Sequence, residues 1–380
     1  MNPNNSIRVR ELSLSAISAA ANAAKENMMP YFQQLIAMLQ TYLVKTENED
    51  ILSLRAQAID TLAAIARTIG KQNFMPLATD TMTFALALLE EADDPDVRRA
   101  LYNLIASLAE VVNEEMASVY PKIMERFYDS ILSTEEVIPE FKEDVINVPG
   151  PDNDENNDRE IDIENSDGED DDLDNIAGYS VENSYLDEKE EAILALKEFA
   201  QHTGAAFIPY LEQSYKNVYK MIDHPQEDIR KVSIDALTTF IIALYKQNDI
   251  QGVGNAITIL IPKLGQIVRD DEEVSVVLAA LESFADILKE LKHIALPDDK
   301  LTDTIFTCIN DVLLGKVACQ FDEPAGGNDD DAEESEYDEA IVEGAGNLLP
   351  LLGQAMQPEK FALYFERAYP IIITKLVRYI

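Results

Sequence analysis

Two short landmarks recur at a spacing of about 45 residues, and a period of that length leaves a stack of helical hairpins as the architecture. The first is a proline in an apolar setting: Pro30 in MMPYF, Pro76 in FMPLA, Pro121 in VYPKI, Pro209 in FIPYL and Pro262 in LIPKL. The pattern predicts that each opens a helix, where the N–H that proline lacks would have no partner anyway. The first steps are 46 and 45 residues; the third, 88, is one period plus an insert. The second landmark is an acidic or Asn-Pro turn followed by an apolar residue and arginine, at Arg8, Arg55, Arg98 and Arg230. Aspartate in such a turn accepts from the unpaired N–H groups of the helix it precedes. Each unit therefore reads as a proline-led helix, A, and an arginine-bearing helix, B.

Between the landmarks, apolar residues recur at three and four. Val97, Leu101, Leu104, Ile105 and Leu108 form one such stripe, and Ile229, Val232, Ala236, Leu237, Phe240 and Leu244 another. Alternating strand patterns bounded by Asn-Gly or Asp-Gly turns are not seen. The expected fold is all-α: a HEAT-repeat α-solenoid, a right-handed superhelix of antiparallel pairs that bury their stripes by stacking. It begins on a B helix and ends on an A helix, so the expectation is a solenoid truncated at both ends. The recurring Asp and Arg either form a ladder between successive turns or merely cap helices and solubilise the turns.

The repeat is interrupted twice by acidic sequence. Of the formal charge of −41, residues Pro149–Ile176 carry 13 acids and one base, and Asp322–Glu339 carry 10 acids and no base. Neither stretch holds enough apolar surface to offset the entropy of ordering it. The expected division is HEAT units over 1–148, an acidic disordered insert at 149–184, HEAT units over 185–320, an acidic loop at 321–335 and HEAT helices over 336–380. Both inserts would separate an A helix from its B helix.

The charge excludes nucleic acid as a direct ligand and favours basic partners, since phosphate needs clustered Lys and Arg. No stretch is apolar and long enough to span a membrane, and no secretory signal is visible. Cys308 and Cys319 fit a reducing compartment and are too far apart to share a metal. His202, His224 and His293 fall in separate units beside helix ends and read as capping residues. No phosphate-binding loop, serine elbow or zinc-protease motif occurs. The acidic run before Ser166-Asp167-Gly168 lacks the ligand order of a calcium loop. No enzyme, cofactor or metal is expected.

At this point the residues resemble a family. MPYF, FMPLATDTM, DDPDVRRALYNLIASLA, the acidic insert, FIPYLEQSYKNVYKMI, HPQEDIRKVSIDAL and GKVACQFDEPAGGNDDDAEESEYDEAIVEGAGNLLPLL together resemble the middle of an importin-β-type nuclear transport receptor (a karyopherin). The resemblance covers essentially the whole chain. It implies import of basic cargo such as histones and ribosomal proteins, release by Ran-GTP, and shuttling between cytoplasm and nucleus. It also implies that Ran-GTP and nucleoporins are bound mainly through parts of the receptor outside this chain. Two other readings fit the same residues: a HEAT scaffold subunit with the loops as spacers, and an acidic histone chaperone without transport activity.

The residues expected to hold basic cargo are of two kinds. In the acidic stretches they are Asp152, Asp154, Glu155, Asp158, Glu169, Asp170, Asp171 and Asp172, then Asp329, Asp330, Asp331, Glu333 and Glu334. On the B helices, opposite the buried stripe, they are Asn103 and Glu110 (in a row with Ser107 and Glu114), Asp235 beside Thr239, and Glu282, Asp286 and Glu290. For each helix residue the alternative is an ordinary solvated helix face, and for the acidic stretches a solubilising linker.

Overall fold

The computed structural model describes residues 5–43, 49–135, 137–141, 176–320 and 331–378. The chain runs α1 (Ile7–Ala24), α2 (Phe32–Gln40), α3 (Glu49–Thr68), α4 (Lys71–Glu91), α5 (Pro95–Val112), α6 (Tyr120–Leu132), β1 (Val137–Phe141) and β2 (Ile176–Val181). It continues through α7 (Asn183–His202), α8 (Ile208–Tyr219), α9 (Glu227–Lys246), α10 (Ile250–Asp270), α11 (Val274–Leu291), α12 (Asp299–Leu313), α13 (Asp331–Ala355) and α14 (Pro358–Arg378). Odd-numbered helices are the B helices and even-numbered ones the A helices. Every B helix packs on the B helix of the next unit, from α1 through to α13, whereas neighbouring A helices pack less closely. The tighter row lies on the inner arc of the stack, so the solvent-facing side of the B helices lines its hollow.

Both apolar stripes named above are buried, no residue of either exceeding 7% exposure. Helix starts follow local chemistry: Asp94, Asp249 and Asp298 each accept from a backbone N–H of the first turn at 2.9 Å. Pro121 and Pro209 stand in the first turns of α6 and α8 as expected, and Pro30 lies in a short 3₁₀ segment before α2. Pro76 and Pro262 are corrections to the expectation, because they lie inside α4 and α10. The helix continues through them because Phe74 upstream of the first, and Val253, Ile257 and Leu260 upstream of the second, are buried in the core. That burial outweighs the single hydrogen bond each proline removes.

The arginine row begins two residues later than expected. Arg10, Arg98 and Arg230 donate their backbone N–H to Ser6, Asp94 and Gln226, the residues before each helix. Arg8 is exposed, and Arg10 takes its place in the row. A ladder does form where the described residues supply the acid. Arg98 clasps Glu188 of the next B helix through two bonds of 2.7 and 2.6 Å, and Arg230 clasps Asp271 before α11 through two of 3.0 Å. A third periodic feature was not read from the sequence. Positive φ occurs at Lys25, Gly70, Asn113, Gly204, Asn248 and Lys292, each within two residues of the end of a B helix.

The first insertion leaves the solenoid's packing intact. The chain departs and returns as an antiparallel ribbon, β1 on β2, pairing Val137 with Val181 and Glu140 with Gly178. This strand pair was not expected, and β2 with the start of α7 occupies residues assigned above to the acidic insert. Across the point of insertion, Tyr102, Tyr120, Phe127, Phe199, Phe207 and Phe240 form a chain of ring contacts from α5 to α9, with centroids 4.1–6.0 Å apart. The Arg98–Glu188 pair, the Ser130 hydroxyl on Glu188, and Lys189 Nζ on Ser133 O at 2.8 Å tie α5, α6 and α7 together there. Residues 142–175 and 321–330, and with them most of the acidic stretches, lie outside the described residues.

Two outcomes follow from this packing. Arg98→Met, which leaves the buried Glu188 carboxylate uncompensated, is expected to cost about 3–5 kcal/mol in urea unfolding, and Arg98→Met combined with Glu188→Gln markedly less. Lys292→Gly, at an exposed site with φ 54°, relieves a left-handed backbone and is expected to add about 1 kcal/mol, read as a higher Tm.

Candidate functional site

On the inner side of the B row, α7, α9 and α11 enclose an open cleft of about 360 Å³. The periodicity that buries one face of these helices sends the opposite face into it. From α7 comes Glu190, from α9 Asp228 and Asp235, and from α11 Glu282 and Asp286. Its floor is apolar or neutral, with Leu194, Val232 and Ala279 beside the Thr238–Ser283 hydroxyl pair. Lys231 is the cation lining it. A second depression of about 200 Å³ continues along the same three helices, bounded by Gln201, Thr239, Lys246, Asp286 and Glu290.

The carboxylates are not equally provided for. Asp235 accepts from Lys197 Nζ at 2.7 Å, and Asp228 from Lys231 Nζ at 2.9 Å. Glu190, Glu282 and Asp286 make no hydrogen bond or ion pair with other described residues. Glu190 is held above the usual carboxylate range first by burial, then by Asp228 and Asp187, with Lys231 opposing. Asp286 is likewise raised by burial, with Asp235 and Glu290 adding and Lys289 and Lys197 opposing. A carboxylate raised by burial and by like charges is one whose ionised form a cation stabilises.

The neighbouring part of the B row, between α3, α5 and α7, is polar and holds closed ion pairs of its own. Asp60 accepts from Arg99 at 2.6 Å and from Asn103 at 2.9 Å, and His202 pairs with Glu198 at 3.1 Å. Glu191 is raised to about 7, chiefly by burial, against the opposing pull of Arg67 and Arg99.

Of the expected inner-face residues, Asp235, Glu282 and Asp286 are brought together in the cleft and Glu290 lies in its continuation. The row on α5 is corrected. Ser107 is fully buried and donates to the Asn103 carbonyl, Asn103 is engaged by Asp60, and Glu114 lies beyond the helix in a 3₁₀ turn. Only Glu110 of that row is an exposed helical residue. The reason is that α5 is sandwiched between α3 and α7, so its solvent-facing arc is narrower than one helix face. Asp152, Asp154, Glu155, Asp158, Glu169, Asp170, Asp171, Asp172, Asp329 and Asp330 lie outside the described residues, and Asp331, Glu333 and Glu334 lie in α13 with undescribed side chains. Sequence reasoning missed Glu190, Asp228 and Lys231. The stripe Glu190, Leu194, Lys197, Gln201 on α7 recurs at three and four residues, a one-face spacing like that of the row on α11, and was the available signal.

Among the described residues no group of His, Cys, Asp and Glu is arranged to hold a metal, and no helix is long and apolar enough to cross a membrane. His224 serves at a helix start, its Nδ1 accepting from the Gln226 N–H.

No family model matches the chain. Over 96% of its length it is 32% identical to importin-4 of Mus musculus, of which it spans 34%. Kap121p bound to Ste12p superposes with a TM-score of 0.67 at 15% identity, over 98% of this chain and 33% of that one. Kap121p bound to RanGTP superposes with a TM-score of 0.64 at 15% identity, over 99% and 34%. At such identity the solved structures speak for the fold alone, and the chain spans about a third of the relatives' length.

Proposed function

The chain belongs to the importin-β family, and on that premise we propose that it is the cargo-holding middle of a nuclear import receptor, acting by binding rather than catalysis. The observation that carries the reading is the cleft between α7, α9 and α11, where five carboxylates from three helices face one lining lysine. Its ligand is a lysine- or arginine-rich segment of a basic protein; core histones and ribosomal proteins fit that chemistry. Cations reaching Glu190, Glu282 and Asp286 gain Coulomb energy at carboxylates that have no partner of their own. The apolar floor takes up the methylene stems.

Both insertions support the same use. Each returns into the start of a B helix, α7 and α13; the two acidic stretches hold 13 and 10 acids, six of the latter within α13 itself, and so precede or open helices of the row that carries the cleft. Charge there raises the encounter rate with a basic partner and is screened over about 8 Å at physiological salt. Release by Ran-GTP and passage through the pore belong to the whole receptor. One relative in fold has been solved with RanGTP. A scaffold or a histone chaperone with the same cleft would not discharge cargo to Ran-GTP.

Three measurements test this. Glu282→Lys with Asp286→Lys is expected to weaken binding of an H3–H4 tail peptide at least ten-fold in fluorescence anisotropy, with unchanged far-UV circular dichroism. An undiminished affinity would remove the cleft from the function. The pH dependence has a definite sign: a bound cation favours the ionised carboxylates, so affinity is full above their free-state range and lost as pH falls through it. Because Glu190 and Asp286 are raised, the loss should set in at higher pH than for ordinary carboxylates near 4, read by calorimetry across pH. Replacing 149–175 and 322–330 by short neutral linkers should slow association and flatten its salt dependence in stopped-flow, with helicity unchanged.

A further inference from the structure

Among the described residues a single cation, Lys231, lines the cleft, and it sits where an incoming ammonium would sit. Lys231 projects from the second turn of α9, its Nζ 2.9 Å from Asp228 Oδ1, with its side chain 38% exposed. The carboxylates that act on it are Asp228, then Glu227 on its own helix, then Glu190 across the gap on α7. Glu190 in turn is opposed by Lys231, against the burial, Asp228 and Asp187 that raise it. The other cation at this rim, Lys197, is committed to Asp235, and Lys289 on α11 stands beside Asp286. Lys231 is therefore the charge that decides how much of the acidity on the α7–α9 side is available to a visitor.

We propose that Lys231 is a built-in competitor: its ammonium occupies the α7–α9 end of the cleft in the free protein and must be displaced by the first cationic side chain of a bound basic segment. This rests on reading the cleft as the cation-receiving site. The physics is that of any intramolecular occupant. The apparent affinity for an outside ligand falls by the fraction of molecules in which the site is free. An exposed i,i+3 pair holds itself only weakly, so the occupant lowers affinity by a few-fold and leaves quickly. Its consequence is selectivity: a segment offering several cations at once repays the displacement, whereas an isolated surface lysine on an unrelated protein does not.

The test uses the full chain and fluorescein-labelled decalysine, followed by anisotropy at low and at physiological salt. Lys231→Gln is expected to tighten decalysine binding three-fold or more, with a still larger relative gain for dilysine; Lys231→Arg should stay within two-fold of the native protein. Lys216→Gln changes the net charge equally on the exposed face of α8, where Lys216 pairs only with Glu212, and should shift the affinity less than 1.5-fold. If Glu282→Lys weakens binding while Lys231→Gln leaves it unchanged or weaker, the competitor is refuted and the cleft stands. An equal gain from Lys216→Gln also refutes it, because overall charge then accounts for the effect. If Glu282→Lys itself has no effect, the cleft reading falls and this inference with it.

Discussion

No hairpin of this chain can bury its apolar stripe alone, and everything else in the structure depends on that. A helix such as α5 places residues on nearly its whole circumference out of water, because α3 covers one side and α7 the other. The stabilising unit is thus the interface between successive B helices, and stability passes from unit to unit rather than from a single centre. The same interface sets the hollow: where B helices touch most closely, only a narrow strip of each remains solvent-facing, and the polar residues on that strip are brought within reach of those on the next.

That constraint explains how the chain tolerates a long acidic interruption between α6 and α7. The B row does not need a short covalent link, only α7 seated against α5. The ring contacts from Tyr102 to Phe240, the buried Arg98–Glu188 clasp and the lysine on the Ser133 carbonyl supply that seating. A loop closed at its base by a two-stranded ribbon adds a closure entropy that grows only slowly with its length.

Helix α7 contributes to two different stretches of the inner surface. On α7, Glu191, Glu198 and His202 turn toward α5 and are met by arginine or by each other, while Glu190, Leu194, Lys197 and Gln201 turn toward α9. One helix thus presents two polar rows about a quarter-turn apart, one turned to α5 and one opening on the acidic cleft it shares with α9 and α11. Burial raises carboxylates on both sides, Glu191 toward α5 and Glu190 and Asp286 at the cleft, and ion pairs close on both, His202 with Glu198 on one and Lys197 with Asp235 on the other.

The helices, their pairing into repeats, the burial of the stripes in α5 and α9 and the exposure of Glu282, Asp286 and Glu290 were legible in the sequence, because all are set by local periodicity. Those features need only the helical repeat of 3.6 residues and the chemistry of capping side chains. The path of helix through Pro76 and Pro262, the withdrawal of Ser107 and Asn103, and the joining of Glu190 and Asp228 to the acids of α11 were decided by the tertiary structure. The reason is the same in each case: whether a proline is overridden, a polar residue spent or a carboxylate left without a partner depends on what the neighbouring helix, about 40 residues away in the chain, sets against it.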